Sequence, residues 1–176
     1  RHNIYNILAA FATAIKYGID PETAKSGIEE VKFIPGRLEK VYSEKPINIF
    51  IDYAHTDDAL KNVLNTLREI KHKRIITVFG CGGDRDRSKR PLMGEIATTL
   101  SDYVIVTSDN PRTEDPEKIV LDIEVGIRRI NRDNYEIIID REKAIKRAIE
   151  IAKLGDTVLI AGKGHEKYQI IGDKFI

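Results

Sequence analysis

Three short segments could hold a ligand: Asp109-Asn110-Pro111-Arg112, which could orient an amino-acid headgroup, Gly162-Lys163-Gly164-His165-Glu166, with an acceptor for an ammonium, and the run from Gly80 to Arg87, open to close approach of a ligand. A guanidinium such as Arg112 can hold a carboxylate through two parallel hydrogen bonds, Asn110 can both donate and accept, and Glu166 could accept from an ammonium. The glycines of Gly80-Cys81-Gly82-Gly83 permit positive φ and close approach of a ligand to the backbone. A helix start near Ser88 would aim unpaired N–H groups at an anion. Each segment also has a plainer account. Asn-Pro starts a turn, with Arg112 a surface charge and Glu114 its possible partner; the glycine run is a tight strand-to-helix turn; 162–166 is a loop of ordinary surface charges. Taken singly, the segments leave both readings open.

Several other chemistries are excluded or disfavoured. The glycine run lacks the third glycine of the dinucleotide fingerprint. Gly162-Lys163-Gly164 is not a phosphate loop, because Gly155 stands seven positions ahead of Gly162 instead of five and Gly164 takes the Ser/Thr place. His2, His55 and His165 are too far apart for a local zinc spacing, and a single cysteine cannot complete a cluster, so no protein-held metal is expected. Cys81 reads as a small packed residue in a crowded turn. One cysteine also suits a reducing cytoplasm.

The elements that must position these residues follow from periodicity. A length of 176 residues, 41% of them hydrophobic, supports one domain, or one plus part of another. Lys and Arg number 29 against 28 acids, so no global field favours nucleic acid or an anionic membrane, and no apolar run is long enough for a span. Residue 1 is Arg, as expected for a processed chain or a piece of a longer one. Ile4, Ile7, Leu8, Phe11 and Ile15 predict a helix ending at Gly18, and Asp20-Pro21 opens a second. Beyond Pro35-Gly36, β-branched runs at 47–51, 74–79, 103–107, 135–139 and 157–161 alternate with helical stripes. A possible edge strand lies at 38–42. The stripes are Leu60/Val63/Leu64/Leu67, Leu92/Ile96/Leu100, Ile119/Val120/Ile123/Ile127 and Ala144/Ile145/Ala148/Ile151. Alternating strands and helices, with nearly continuous apolar strands, predict an α/β fold: a doubly wound, mostly parallel sheet of about six strands.

Open parallel sheets bind ligands beyond the carboxyl ends of their strands. The segments there are Asp52-Tyr53-Ala54-His55-Thr56, Gly80 to Arg87, Ser108 to Arg112 and Gly162 to Glu166, so four strand ends are expected to converge on one rim.

Read together, His2-Asn3-x-x-Asn6, Pro35-Gly36-Arg37-x-Glu39, Asp52-Tyr53-Ala54-His55-Thr56, Gly80 to Arg87, Lys89 to Gly94, Asp109 to Arg112 and Ala161 to Glu166 resemble the Mur ligases, most closely their diaminopimelate-adding members. The resemblance spans the whole chain. It implies that 1–35 is the end of a central ATPase domain and that 36–176 is a Rossmann-like C-terminal domain short of its final helix. It implies ATP-dependent amide formation in peptidoglycan precursor synthesis, with ATP and Mg2+ as cofactors, the magnesium ligands mostly outside this stretch. The implied substrates are meso-diaminopimelate and a UDP-N-acetylmuramoyl dipeptide. By resemblance, Asn3, Asn6, Arg37, Asp52 and His55 would meet ATP. Arg85, Asp109, Asn110, Pro111, Arg112, Gly162 and Glu166 would hold diaminopimelate. Asp57 stands where the family usually has proline, and the family's Gly-Lys-Thr ATP loop is absent, so this stretch alone is expected to be inactive. The alternatives are a lysine-adding or folylpolyglutamate-type ligase domain, or an amino-acid-binding module without catalysis.

Overall fold

The computed structural model describes residues 2–70 and 73–176, with the side chains of residues 2 and 3 outside that description. The chain divides into two compact units, 1–34 and 35–176. In the first, α1 (His2–Lys16) and α2 (Pro21–Glu30) follow the expected spacing. Gly18, at φ +84°, takes the left-handed conformation past the end of α1. Asp20 caps α2 by accepting from Glu22 N and Thr23 N, both at 3.1 Å.

The second unit is a six-stranded sheet in the order β1-β2-β6-β3-β4-β5. The strands are β1 (Glu39–Val41), β2 (Asn48–Asp52), β3 (Ile75–Phe79), β4 (Tyr103–Val106), β5 (Tyr135–Ile137) and β6 (Thr157–Ala161). All neighbours are parallel except β1, which lies antiparallel on the β2 edge. The expected doubly wound architecture is present. β3 is buried along its full length, as a central strand covered on both faces must be.

Alternation along the strands sorts the core. Ile75, Phe79, Val104, Val106 and Leu159 join α3 (Asp57–Glu69), α4 (Lys89–Leu100) and α5 (Pro116–Arg129) on one face. Ile76, Val78, Ile105 and Val158 meet α6 (Arg141–Ile151) on the other. The stripes of α3 and α5 are buried as the spacing predicts. In α4 the inward face is rotated: Leu92 is 43% exposed, while Met93 and Ala97 are buried. The cause is backbone proximity. A Cβ on Gly94 would strike the Ile123 carbonyl, and one on Gly126 would strike Pro91, so α4 and α5 meet along their glycines and Leu92 is turned outward. A small hairpin, β7 (Ile170–Ile171) with β8 (Lys174–Phe175), was not foreseen; two-residue strands carry no period to detect.

Candidate functional site

The carboxyl ends of β2, β3, β4 and β6 open on one cleft of about 390 Å³. Arg85 enters from the loop after β3, Asn110 and Arg112 from the loop after β4, and Gly162 and Glu166 from the loop after β6. His55, after β2, lies on the same wall. Two guanidinium groups and a carboxylate from three separate loops therefore face one space.

The loops after β3 and β4 are stitched together. Gly83 N donates to Asn110 O at 2.9 Å, and Arg112 Nη1 donates to Gly83 O at 2.8 Å. Asp84 accepts from Thr113 N and Oγ1, while its own N–H donates to Glu114 Oε1 at 2.6 Å. Glu114 pairs with the buried Arg90, whose guanidinium also reaches Asp122 and Gly82 O. The bonds from Arg90 hold the Glu114 carboxyl down at about 2. Glu114 is thus the partner of Arg90 and Arg87, not of Arg112.

The glycine run works differently from the sequence expectation. None of Gly80, Gly82 or Gly83 has positive φ. They supply room: a Cβ on Gly80 would strike the Thr107 carbonyl, and one on Gly83 the carbonyl of Pro111. The left-handed positions are Asp84 at +53° and Arg112 at +51°, strained for residues with a Cβ. The start of α4 is not open to an anion in the manner expected, because Asp86 takes Ser88 N at 2.9 Å and Ser88 Oγ at 2.7 Å.

The acidic wall centres on Glu166. It accepts from Tyr53 Oη at 3.2 Å, Asn110 Nδ2 at 3.3 Å and Lys163 Nζ at 2.9 Å. Burial alone would raise its carboxyl, but the ammonium, amide and hydroxyl together pull it below the ordinary value. Asp109 is buried, accepts from Asn110 N at 2.7 Å, and lies where a Cβ on Gly162 (φ +111°) would meet its Oδ2. The β7 hairpin braces this wall: Ile170 N donates to Asn110 Oδ1, Arg112 N to Ile170 O, and Gly172 N to Arg112 O. Pro111 is buried beneath the cleft, where its carbonyl crowds Gly83. Lys163, Tyr53 and the Arg90–Glu114 pair were missed as site-forming residues. The spacing of Lys163 three positions before Glu166 was the available signal.

The residues expected to meet ATP differ in their freedom. Asp52 is buried, and its two oxygens take Leu38 N at 2.7 Å and Ala54 N at 2.8 Å, so it builds the turns around itself; burial lifts its carboxyl above the ordinary range. Arg37 is exposed, with its guanidinium 5.2 Å over the Tyr53 ring. His55 stands edge-on to that ring, its Nδ1 2.9 Å from Tyr53 O. Asn6 is exposed on α1, and Asn3 lies outside the residues whose side chains are described. Thr56 caps α3 through Ala59 N at 3.2 Å, so Asp57 opens that helix without the family's proline. Among the described residues no group of three or more His, Cys, Asp and Glu is placed to hold a metal ion. Cys81 is buried against Met93, and burial pushes its thiol up to about 12.

Comparison with known proteins places these features in context. Residues 36–164 match the family model described as Mur ligase, glutamate ligase domain. A UDP-N-acetylmuramoyl-L-alanyl-D-glutamate–2,6-diaminopimelate ligase of Syntrophomonas wolfei is 53% identical over 174 residues, covering 99% of this chain and 36% of the relative. One from Solibacter usitatus is 55% identical, covering 99% of this chain and 35% of the relative. A solved structure bearing the same enzyme name superposes with a TM-score of 0.74 at 44% identity, over 98% of this chain and 35% of the other. The chain therefore spans about a third of the length of the relatives it matches.

Proposed function

This chain belongs to the Mur ligase family, and from that premise we propose that it is the amino-acid-binding C-terminal part of an ATP-dependent ligase. That ligase joins meso-diaminopimelate to UDP-N-acetylmuramoyl-L-alanyl-D-glutamate in peptidoglycan precursor synthesis, in the cytoplasm. Residues 1–35 are then the end of a central ATPase domain and 36–176 the C-terminal domain. The observation that carries the reading is the meeting of Arg85, Arg112 and Glu166 in one cleft.

Meso-diaminopimelate has two zwitterionic ends. One amino group attacks the D-glutamate acyl phosphate, so the C–N bond forms as the C–O bond to phosphate breaks, releasing inorganic phosphate and a proton from the amine. The end that does not react needs a carboxylate clamp and an ammonium acceptor, which the two guanidinium groups and Glu166 supply, with Asn110 and Gly162 completing the wall. Arg112 is partly preorganised by Gly83 O, so its remaining donors are aimed before the ligand arrives. Lysine lacks the distal carboxylate and would leave that guanidinium without its partner, which is the physical basis for discrimination.

ATP would activate the D-glutamate carboxylate as an acyl phosphate. The exposed Arg37 and His55, beside Tyr53, fit phosphate and ribose contacts, and Asn3 and Asn6 are assigned to the adenine. Asp52 shapes the turn that presents His55. Magnesium finds no three-ligand group among the described residues. Backbone amide shifts on adding meso-diaminopimelate test the placement: changes should concentrate at 82–85, 109–112 and 162–166. Changes confined to β5 and α6 would contradict it.

A further inference from the structure

Lys163 is 7% exposed and does not line the cleft, yet its Nζ lies 2.7 Å from Asn110 Oδ1, 2.9 Å from Glu166 Oε2 and 3.8 Å from Asp109 Oδ1. Resting on the reading above, we propose that Lys163 is a positioning residue that makes the cleft select a zwitterionic end over a lone ammonium.

Two observations carry this. First, Asn110 Oδ1 accepts from both Lys163 Nζ and Ile170 N. An amide oxygen has two lone pairs, so both are occupied, this orientation of the side chain is favoured, and Nδ2 is the group turned toward Glu166, which lines the cleft. The incoming end meets a donor, which suits a carboxylate. Second, Asp109 and Glu166 both line the cleft, and the Lys163 ammonium, 2.9 Å from Glu166 and 3.8 Å from Asp109, offsets one of their two charges. The cleft then presents Arg85, Arg112 and Lys89 and, beside Asp86, one uncompensated charge of the Asp109–Glu166 pair, so groups of both signs face the ligand. That balance fits an end carrying one ammonium and one carboxylate.

Removing the Lys163 charge changes both features in the same direction. The acidic wall gains an uncompensated charge, and in Lys163→Met the Asn110 oxygen keeps only the Ile170 N–H, so the amide turns more easily to present an acceptor. Both favour the single distal ammonium of lysine. A residue that merely supported the loop would weaken both amino acids in parallel.

The test is calorimetric titration of meso-diaminopimelate and of L-lysine blocked at its α end as Nα-acetyl-L-lysine amide, which offers only the distal ammonium, into the wild-type chain, Lys163→Met and Lys163→Gln, with thermal melts on each. The preference for diaminopimelate should fall by about tenfold or more in Lys163→Met, the size of one lost charge-assisted contact, and by a smaller but measurable factor in Lys163→Gln, while lysine binding holds or tightens. Lys163→Gln keeps a donor toward Asn110 Oδ1 and carries the comparison if Lys163→Met does not fold. In the wild-type chain the Asn110 side-chain NH2 resonance should move with diaminopimelate and stay in place with the blocked lysine. An unchanged preference in a folded variant, or equal resonance shifts with both amino acids, overturns the role of Lys163 and leaves the substrate assignment standing. Absence of diaminopimelate binding to the wild-type chain removes the substrate assignment, and this role with it.

Discussion

The Arg90 guanidinium is fully buried and depends on Glu114 for its closest carboxylate contact, at 2.8 Å. Glu114→Gln leaves that cation short of a partner, and a loss of about 3 kcal/mol is expected for breaking a buried pair, measurable by urea denaturation near neutral pH. The acid limb of the stability curve should change as well. With its carboxyl at about 2 in the folded chain against an ordinary 4.5, Glu114 contributes stability that is complete above about pH 4.5 and is lost as pH falls toward 2. Melting temperatures of the glutamine variant should be lower overall and flatter across that window. A second expectation separates backbone from side chain. Arg112→Gly relieves a left-handed φ but removes a guanidinium, so diaminopimelate binding should drop far more than thermal stability. At this scale the sequence disclosed residue types better than pairings. Asn110, Arg112 and Glu166 could be singled out because their chemistry is local, and Arg85 through the family resemblance. The partner of Glu114 and the burial of Lys163 depend on which loops touch, and no spacing within one loop encodes that.

Strands and helices were legible because their signals are periodic: the strand runs, the Asp20 cap and the stripes of α3 and α5 all lie where the pattern predicts. The rotation of α4 was not, since it is set by the facing glycines of a neighbouring helix. Those glycines allow a paired test. A Cβ at Gly83 would meet the Pro111 carbonyl and one at Gly126 the Pro91 carbonyl, so each alanine substitution should cost about 1–3 kcal/mol as overpacking. Their effects on binding should diverge. Gly83→Ala pushes apart the loops carrying Arg85 and Arg112 and should abolish most diaminopimelate binding, whereas Gly126→Ala acts between α4 and α5 and should lower affinity far less. Denaturation curves paired with titrations would read both quantities.

On the scale of the whole molecule, every member of the two core clusters lies between Leu38 and Ala161. Residues 35–176 should therefore unfold in one cooperative transition without 1–34, as a single calorimetric peak would show. The sheet order explains why four sequence-distant segments form one site: β6 inserts between β2 and β3, bringing the 162–166 loop beside those after β2, β3 and β4. That insertion was the least legible feature, because parallel crossovers fix handedness and not which gap the last strand fills. The convergence itself could be anticipated, since parallel strands present their carboxyl ends on one edge. The central claim is that this rim holds the unreacted end of diaminopimelate by its carboxylate and its ammonium together. Titration of the chain with meso-diaminopimelate and with L-lysine blocked at its α end as Nα-acetyl-L-lysine amide, which keeps only the distal ammonium, tests it most directly. Saturable binding of diaminopimelate with markedly weaker binding of the blocked lysine is expected, and the blocked lysine binding equally well or better would contradict the account.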